Sequence, residues 1–537
     1  MALTFQGYVA GSLVRLCVFY SFMNVGTTYF DLVCTQTLLY YFPTKRGYLV
    51  ALLKSMMGIG SSMTSILYQG FFPDRPSFFY FLMVYAIIFA VLNCIFMRLP
   101  KYQTTGYEDR KLTPEEKEER LKLKAPYLNQ EPPMIRFYYG IGLIIVVIIF
   151  TTVASAVINY VGLKTHEEIR PFSIVVVILW AGFGLIMFPW QLFFGKKQGR
   201  QDHEDRDTRQ EEPAYDDTKK PEQEITVAKE FDGYLEGAEE LAEMESGSNE
   251  KPIETEVDFI APQYQTSFWR NLLSINLWCL FWVFFIVMGT ELMIMNNSTY
   301  IFQALSGHKQ PDSLRYLLSV LNGVGSSAGR LSMSFFEVWI QSRPVEKRWP
   351  ITVTLFVPTV SVLITVTLLL ALPESVLPLP YVLGAVGNGF LGAILVLAPR
   401  TIYAKDNAKH YNFLFLATAC SSIVINRFLY GEWYAQQAGD TVCLRRACVQ
   451  PALIVCVCVC TTAFATNILL HFRYRSFCRK VLRERAILRG EITPEASEGN
   501  ENENHGETFE EVNLDNGEAI AVNDTKSNKS ANRGTGI

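Results

Sequence analysis

Residues 137–161 read FYYGIGLIIVVIIFTTVASAVINYV, a run without a single charged side chain. The hydrocarbon core of a bilayer takes about 20 apolar helical residues to cross, so this run is long enough to be a membrane span. Ten more blocks of the same character lie on either side of it, at 13–41, 48–70, 78–97, 174–194, 272–295, 314–340, 351–372, 381–398, 413–429 and 453–470. Short polar joints or long charged segments separate them. The pattern predicts an all-α polytopic membrane protein with eleven transmembrane helices.

Composition agrees with that reading and excludes others. Half of the 537 residues are hydrophobic, and the mean hydropathy of +0.16 is too high for a soluble chain that also carries long acidic stretches. A net charge of -4 offers no basic surface for phosphates, so nucleic acid is excluded as a partner. The opening Met1-Ala2-Leu3-Thr4-Phe5 lacks the basic start and small-residue cleavage site of a leader, and the first apolar block is expected to be a span. Cys456, Cys458 and Cys460 alternate with valine, but alternate residues diverge around a helix axis, so no metal site is expected there.

Lys and Arg near helix ends stay on the cytoplasmic side, and alternate joints are the basic ones. Lys45 with Arg46, Arg98 with Lys101, Lys196 with Lys197, Arg343 with Lys347, Lys405 with Lys409, and Arg473 with Arg475 fall on one side. The assignment places the carboxyl tail in the cytoplasm. An odd span count then leaves Met1 outside, and an odd number of upstream helices would return the amino terminus to the cytoplasm; a truncated start is therefore expected. The expected organisation is three helices of an amino-terminal bundle in 1–97, a cytoplasmic loop at 98–136, a helix pair in 137–194, an acidic disordered cytoplasmic loop at 195–267, a six-helix bundle in 268–472 and a disordered cytoplasmic tail at 473–537. In the first loop, Thr113-Pro114-Glu115-Glu116 has the form of a helix start, with Thr as N-cap and Glu three residues on.

No nucleophilic, metal-dependent or phosphate-binding enzyme motif is present, and neither enzymatic activity nor a cofactor is expected. The six histidines are dispersed, with His410 in a joint and His471 at a helix end. What stands out is charge inside the bilayer, which costs about 2.5–3.5 kcal/mol per residue on insertion scales. Asp31 lies ~16 Å from the cytoplasmic end of the first span and Lys54 ~10 Å from the same end of the second, at ~1.5 Å per residue. A lysine stem bridges most of that difference. Two readings stand open: an ion pair that breaks as a carrier opens, or a static pair that holds two helices. Glu291, Asn296 and Asn297 mark the outer half of the sixth span, where paired amides lower helix propensity and offer donors and acceptors to a cavity. Either a broken helix or an ordinary polar helix end fits them.

Residues 322–329, NGVGSSAG, gather small side chains in the seventh span, and Gly384, Gly387, Gly389 and Gly392 do so in the ninth. Both read as faces on which helices approach closely. Arg330 follows the first run, with Glu337 two turns on. Cys443 and Cys448, five apart in an outer joint, are candidates for a disulfide in an oxidising compartment.

The stretch Phe42-Pro43-Thr44-Lys45-Arg46-Gly47-Tyr48-Leu49-Val50-Ala51-Leu52-Leu53-Lys54 resembles the nodulin-like branch of the major facilitator superfamily. That branch has Phe-Pro, two variable residues, Arg-Gly and then Leu-Lys in the joint after its fourth helix; Ala51 stands where glycine is common. Asn296-Asn297 looks like its paired asparagines, Gly329-Arg330 with Glu337 like a worn form of the superfamily's cytoplasmic loop signature, and Tyr411-Asn412 and the Cys443/Cys448 pair match usual positions. The resemblance implies a major facilitator-type bundle from which three helices are absent. It also implies a secondary carrier of a small polar solute working by alternating access, with carboxylates a candidate class because the proteins associated with differentiation carry them. The alternative is a transport-inactive membrane sensor or scaffold acting through cytoplasmic partners of the acidic loop. The expected location is a plasma or organelle membrane, with lipid and a small solute as partners.

Overall fold

The computed structural model describes residues 12–43, 45–103, 134–163, 165–187, 262–310, 312–344, 347–439 and 442–488, with scattered positions in 4–8 and 108–127. The acidic loop expected at 195–267 lies outside the described residues except for its last few. The helices are α1 (Leu13–Tyr41), α2 (Arg46–Phe71), α3 (Arg75–Phe96), α4 (Met134–Val161) and α5 (His166–Gly182), the last running on as a tighter turn at Phe183–Met187. Then come α6 (Ile275–Asn296), α7 (Ser298–Ser306), α8 (Asp312–Gln341), α9 (Ile351–Ala371), α10 (Pro378–Ile402), α11 (Asn407–Ala438) and α12 (Gln450–Leu488). The chain is an all-α polytopic membrane protein.

Each of the eleven apolar blocks falls on a helix over its described residues, the block at 174–194 as far as Met187. Nine helices among the described residues are both long and apolar enough to cross a membrane, fewer than the eleven expected. The other two, α1 and α8, have the length, at 29 and 30 residues. They carry the polar load: Arg15, Asn24 and Asp31 in α1, and Asn322, Ser326, Ser327, Arg330 and Glu337 in α8.

Local chemistry explains the starts. At α3 the Asp74 carboxylate accepts from the Ser77 backbone N–H at 3.1 Å, and Pro76 sits where the first turn has no use for an N–H. At α5 Thr165 and Glu168 form a reciprocal capping box. The Thr113 signal forms its bonds too: Thr113 N–H donates to Glu116 Oε2 at 2.8 Å, and Glu116 N–H donates to Thr113 Oγ1 at 3.3 Å.

One boundary needs correction. The tail expected from 473 is helical to Leu488, because Tyr474, Cys478 and Val481 recur at helical spacing and are buried, and Arg473 Nε donates to Asn276 Oδ1 at 3.0 Å. His410 is also not a joint residue. It is fully buried in the first turn of α11, its ring stacked 4.1 Å from that of Tyr403.

α8 is the axis of the packing, with α2 against one face and α10 against the other. Small residues make this possible: Gly58 abuts Ser327, Gly323 abuts Ser61, Ser62 and the Gly58 carbonyl, and Gly329 abuts the Val386 carbonyl. Ser62 Oγ donates to the Val320 carbonyl at 3.0 Å and Ser327 Oγ to the Ser55 carbonyl at 2.9 Å, so the close faces are also stitched. α3, by contrast, has no buried residue. Among the described residues two helices widen to π turns, α6 at Phe284–Met288 and α11 at Ser422–Glu432.

A Cβ on Gly389 would fall onto the Ser326 carbonyl oxygen, which is backbone and cannot swing aside. Gly389→Ala is therefore expected to cost at least the ~1–3 kcal/mol of overpacking, read as a lowered thermal midpoint in detergent. Gly26→Ala, with nothing within 4 Å of its Cβ position, is the control. Equal midpoints for the two variants would refute the packing argument.

Candidate functional site

Asp31 on α1 and Lys54 on α2 meet inside the bundle. Lys54 Nζ lies 2.7 and 2.6 Å from the two Asp31 oxygens, with side-chain exposures of 4% and 13%. A third group completes the cluster from far along the chain: the Tyr411 hydroxyl on α11 donates to Asp31 Oδ2 at 2.7 Å. Lys54 Nζ is also 3.3 Å from that hydroxyl, and Thr35 Oγ1 donates to Asp31 Oδ1 at 3.2 Å. The carboxylate thus receives hydrogen bonds from α1, α2 and α11 together.

Arg330 on α8 lies within electrostatic reach of Asp31, Lys54 and Tyr411. Gly58 and Gly392 flank its guanidinium, since a Cβ on either would stand 3.0 and 3.3 Å from it. Its Nε and Nη1 are buried without hydrogen-bond partners among the described residues. With Lys54 and Arg330 positive and Asp31 negative, the cluster carries one unmatched positive charge in a low-dielectric setting, where a second anion is strongly favoured.

Glu337, two turns beyond Arg330, turns elsewhere. Its Oε1 accepts from Arg46 Nε at 3.1 Å and Nη2 at 2.9 Å, and from Gln341 Nε2 at 2.8 Å. Arg46 opens α2 and both side chains are nearly inaccessible, at 1% and 3%. The pair clamps α2 to α8 at the end of the bundle that carries the basic joints, beside a small cleft lined by Arg348, Trp349, Tyr474 and Cys478.

The remaining candidates form a second locus. Asn297 has left helical geometry, at φ -110° and ψ 16°, and it separates α6 from α7. Its Nδ2 donates to the Met293 carbonyl at 2.8 Å and to Asn426 Oδ1 at 2.6 Å. Asn296 and Glu291 line a cavity of about 300 Å³ with Ser298, Arg315, Asn322 and Tyr381. Glu291 is 1% exposed. Cys443 and Cys448 are joined as a disulfide in the joint before α12.

Outside the spans, the joint between α10 and α11 is held by Asp406, at φ 57°. Partial burial opposes ionisation of its carboxyl, but the Lys409 ammonium and the Phe268 backbone N–H donate to it, at 2.7 and 3.0 Å, and hold it below the usual carboxylate value.

Residues 3–123 match the profile of the Nodulin-like family. No curated protein and no solved structure matches the chain. The nodulin-like segment contains α1, α2 and α3, and hence Asp31, Arg46 and Lys54. Their partners Glu337 and Tyr411 lie outside it, so both clusters join the nodulin-like segment to the rest of the chain.

Sequence reasoning singled out Asp31 and Lys54 as neighbours and missed the third member. Tyr411 entered only through Tyr411-Asn412, a match to a usual position of the resembled family, with nothing local to tie it to Asp31. Arg46 read as a topogenic charge, and nothing local marks a partner 291 residues away.

Proposed function

We propose that the chain is a secondary carrier of a small anionic solute, of which a carboxylate is the simplest case, working by alternating access in a major facilitator-type arrangement. The observation that carries the reading is the unmatched positive charge of the Asp31, Lys54, Arg330 and Tyr411 cluster. A carboxylate entering it would compete with Asp31 for Lys54 and give the free guanidinium nitrogens of Arg330 an acceptor. Asp31 would hold Lys54 when the site is empty. Because Tyr411 bridges to Asp31 from α11, exchange of one anion for another would alter contacts between the nodulin-like segment and the later helices, which is what coupling of occupancy to conformation requires.

The test is uptake of labelled mono- and dicarboxylates, with neutral amino acids and sugars as controls, into proteoliposomes containing the purified protein. Carboxylate uptake is expected to fall at least tenfold in Arg330→Gln while the thermal midpoint changes little. Uptake of neutral solutes alone, or carboxylate uptake indifferent to Arg330→Gln, would overturn the assignment. No uptake of any solute by folded protein would also overturn it and favour a sensor or scaffold.

A further inference from the structure

We propose that Glu291 is a proton-binding site that takes up and releases one H+ through the α6, α8 and α10 cavity, so that solute movement is coupled to a proton gradient. The coupling role rests on the carrier reading above; the proton site itself does not. Both Glu291 oxygens are buried and neither has a hydrogen-bond partner among the described residues. An ionised carboxylate without donors in such a place would bear its full desolvation cost. A protonated one would not. The donors that could have stabilised the anion are committed elsewhere: Ser361 Oγ, packed with Glu291 Oε1 around Gly387, gives its proton to the Leu383 carbonyl at 2.9 Å, and the Tyr381 hydroxyl gives its own to the Ser298 carbonyl at 3.0 Å.

The remaining titratable and charged groups on the surrounding elements do not neutralise it. Among them are Arg315 on α8, Tyr381 on α10, Tyr430 on α11, and Cys456 and Cys460 on α12, while Arg330 on α8 lies with the Asp31 cluster and Glu337 on α8 is paired with Arg46. Arg315 lines the same cavity but is exposed and forms no ion pair with Glu291 among the described residues. Cys460 is engaged with Thr290, at 3.7 Å. The cavity supplies the path: its lining includes the exposed Asn296, Arg315 and Ser319, so a proton can pass by water between the surface and a carboxyl placed about one and a half helical turns before the Asn296-Asn297 break. Movement of Arg315 inward, or of water toward Glu291, would stabilise the anion and release the proton.

Dicyclohexylcarbodiimide tests this without any substrate. It adds to a protonated carboxyl in an apolar setting, the acid proton passing to a carbodiimide nitrogen as the carboxyl oxygen bonds to the central carbon, and the adduct is located by peptide mass spectrometry. Full-length purified protein in detergent is expected to be modified at Glu291 and not at the ion-paired Asp31. The rate should fall about tenfold for each pH unit above the midpoint of the site. Glu291→Asp should keep the pH dependence with a changed rate, which separates loss of the site from loss of the fold in Glu291→Gln. No adduct at Glu291 at any pH, or an adduct whose rate ignores pH and responds only to sodium ions, would overturn the proton site. Modification with the expected profile in a protein that carries no solute would leave the proton site standing and remove the carrier reading.

Discussion

Asp31→Asn is expected to destabilise the fold by about 3–5 kcal/mol, the usual cost of stranding one member of a buried ion pair. The change leaves Lys54 Nζ with the Tyr411 hydroxyl oxygen, at 3.3 Å, and an amide in place of a carboxylate only 2.6 Å away. The double variant Asp31→Asn with Lys54→Gln removes the stranded charge and should recover most of the loss. A double-mutant cycle on thermal midpoints in detergent measures the coupling. If the two single losses simply add, the charges are independent and the cluster is not a unit.

Glu337→Gln is expected to act differently, although its pair is even more deeply buried. The variant takes from the Arg46 guanidinium, at the basic end of the bundle, the carboxylate that accepts from its Nε and Nη2, a cost that can reach a similar size. If α2 and α8 part at that end, the guanidinium reaches water and the penalty is relieved. The population then shifts toward the parted state by the energy that would otherwise be lost, and ~3 kcal/mol corresponds to about a hundredfold. Cys478 lines the same cleft and is buried, so its rate of maleimide modification, followed by peptide mass spectrometry, should rise by that order. A lowered thermal midpoint with an unchanged Cys478 rate would show a static clamp instead of a latch.

Helix positions were legible because length and apolarity are local properties, and the end of α1 at Tyr41 was marked by Phe42-Pro43, since the residue before a proline avoids helical geometry. The continuation of α12 was not legible. Arg473, Arg475, Arg479, Lys480 and Arg483 dilute the apolar signal, and only packing shows that Tyr474, Cys478 and Val481 form a buried stripe between them. At the candidate site the cost of intramembrane charge pointed to Asp31, Lys54 and Glu291, but cost alone does not name partners. Asp31 and Lys54 lie 23 residues apart on successive helices and could be matched by counting rise along each. Tyr411 lies 380 residues from Asp31, beyond any such count.

The wide turns of α11 bear on how that helix is measured along its length. A regular helix turns about 100° per residue, so losing one residue in the middle of α10 would swing every later side chain by that angle and take Arg400 off the Tyr40 ring it faces. The Ser422–Glu432 stretch holds at least one residue more than regular turns would seat. Loss of a residue there lets the stretch tighten, while Ser421, packed on Gly289, and Trp433, donating to the Ala447 carbonyl, keep their bearings. The helix carries slack, and its two ends answer to their own neighbours instead of to each other.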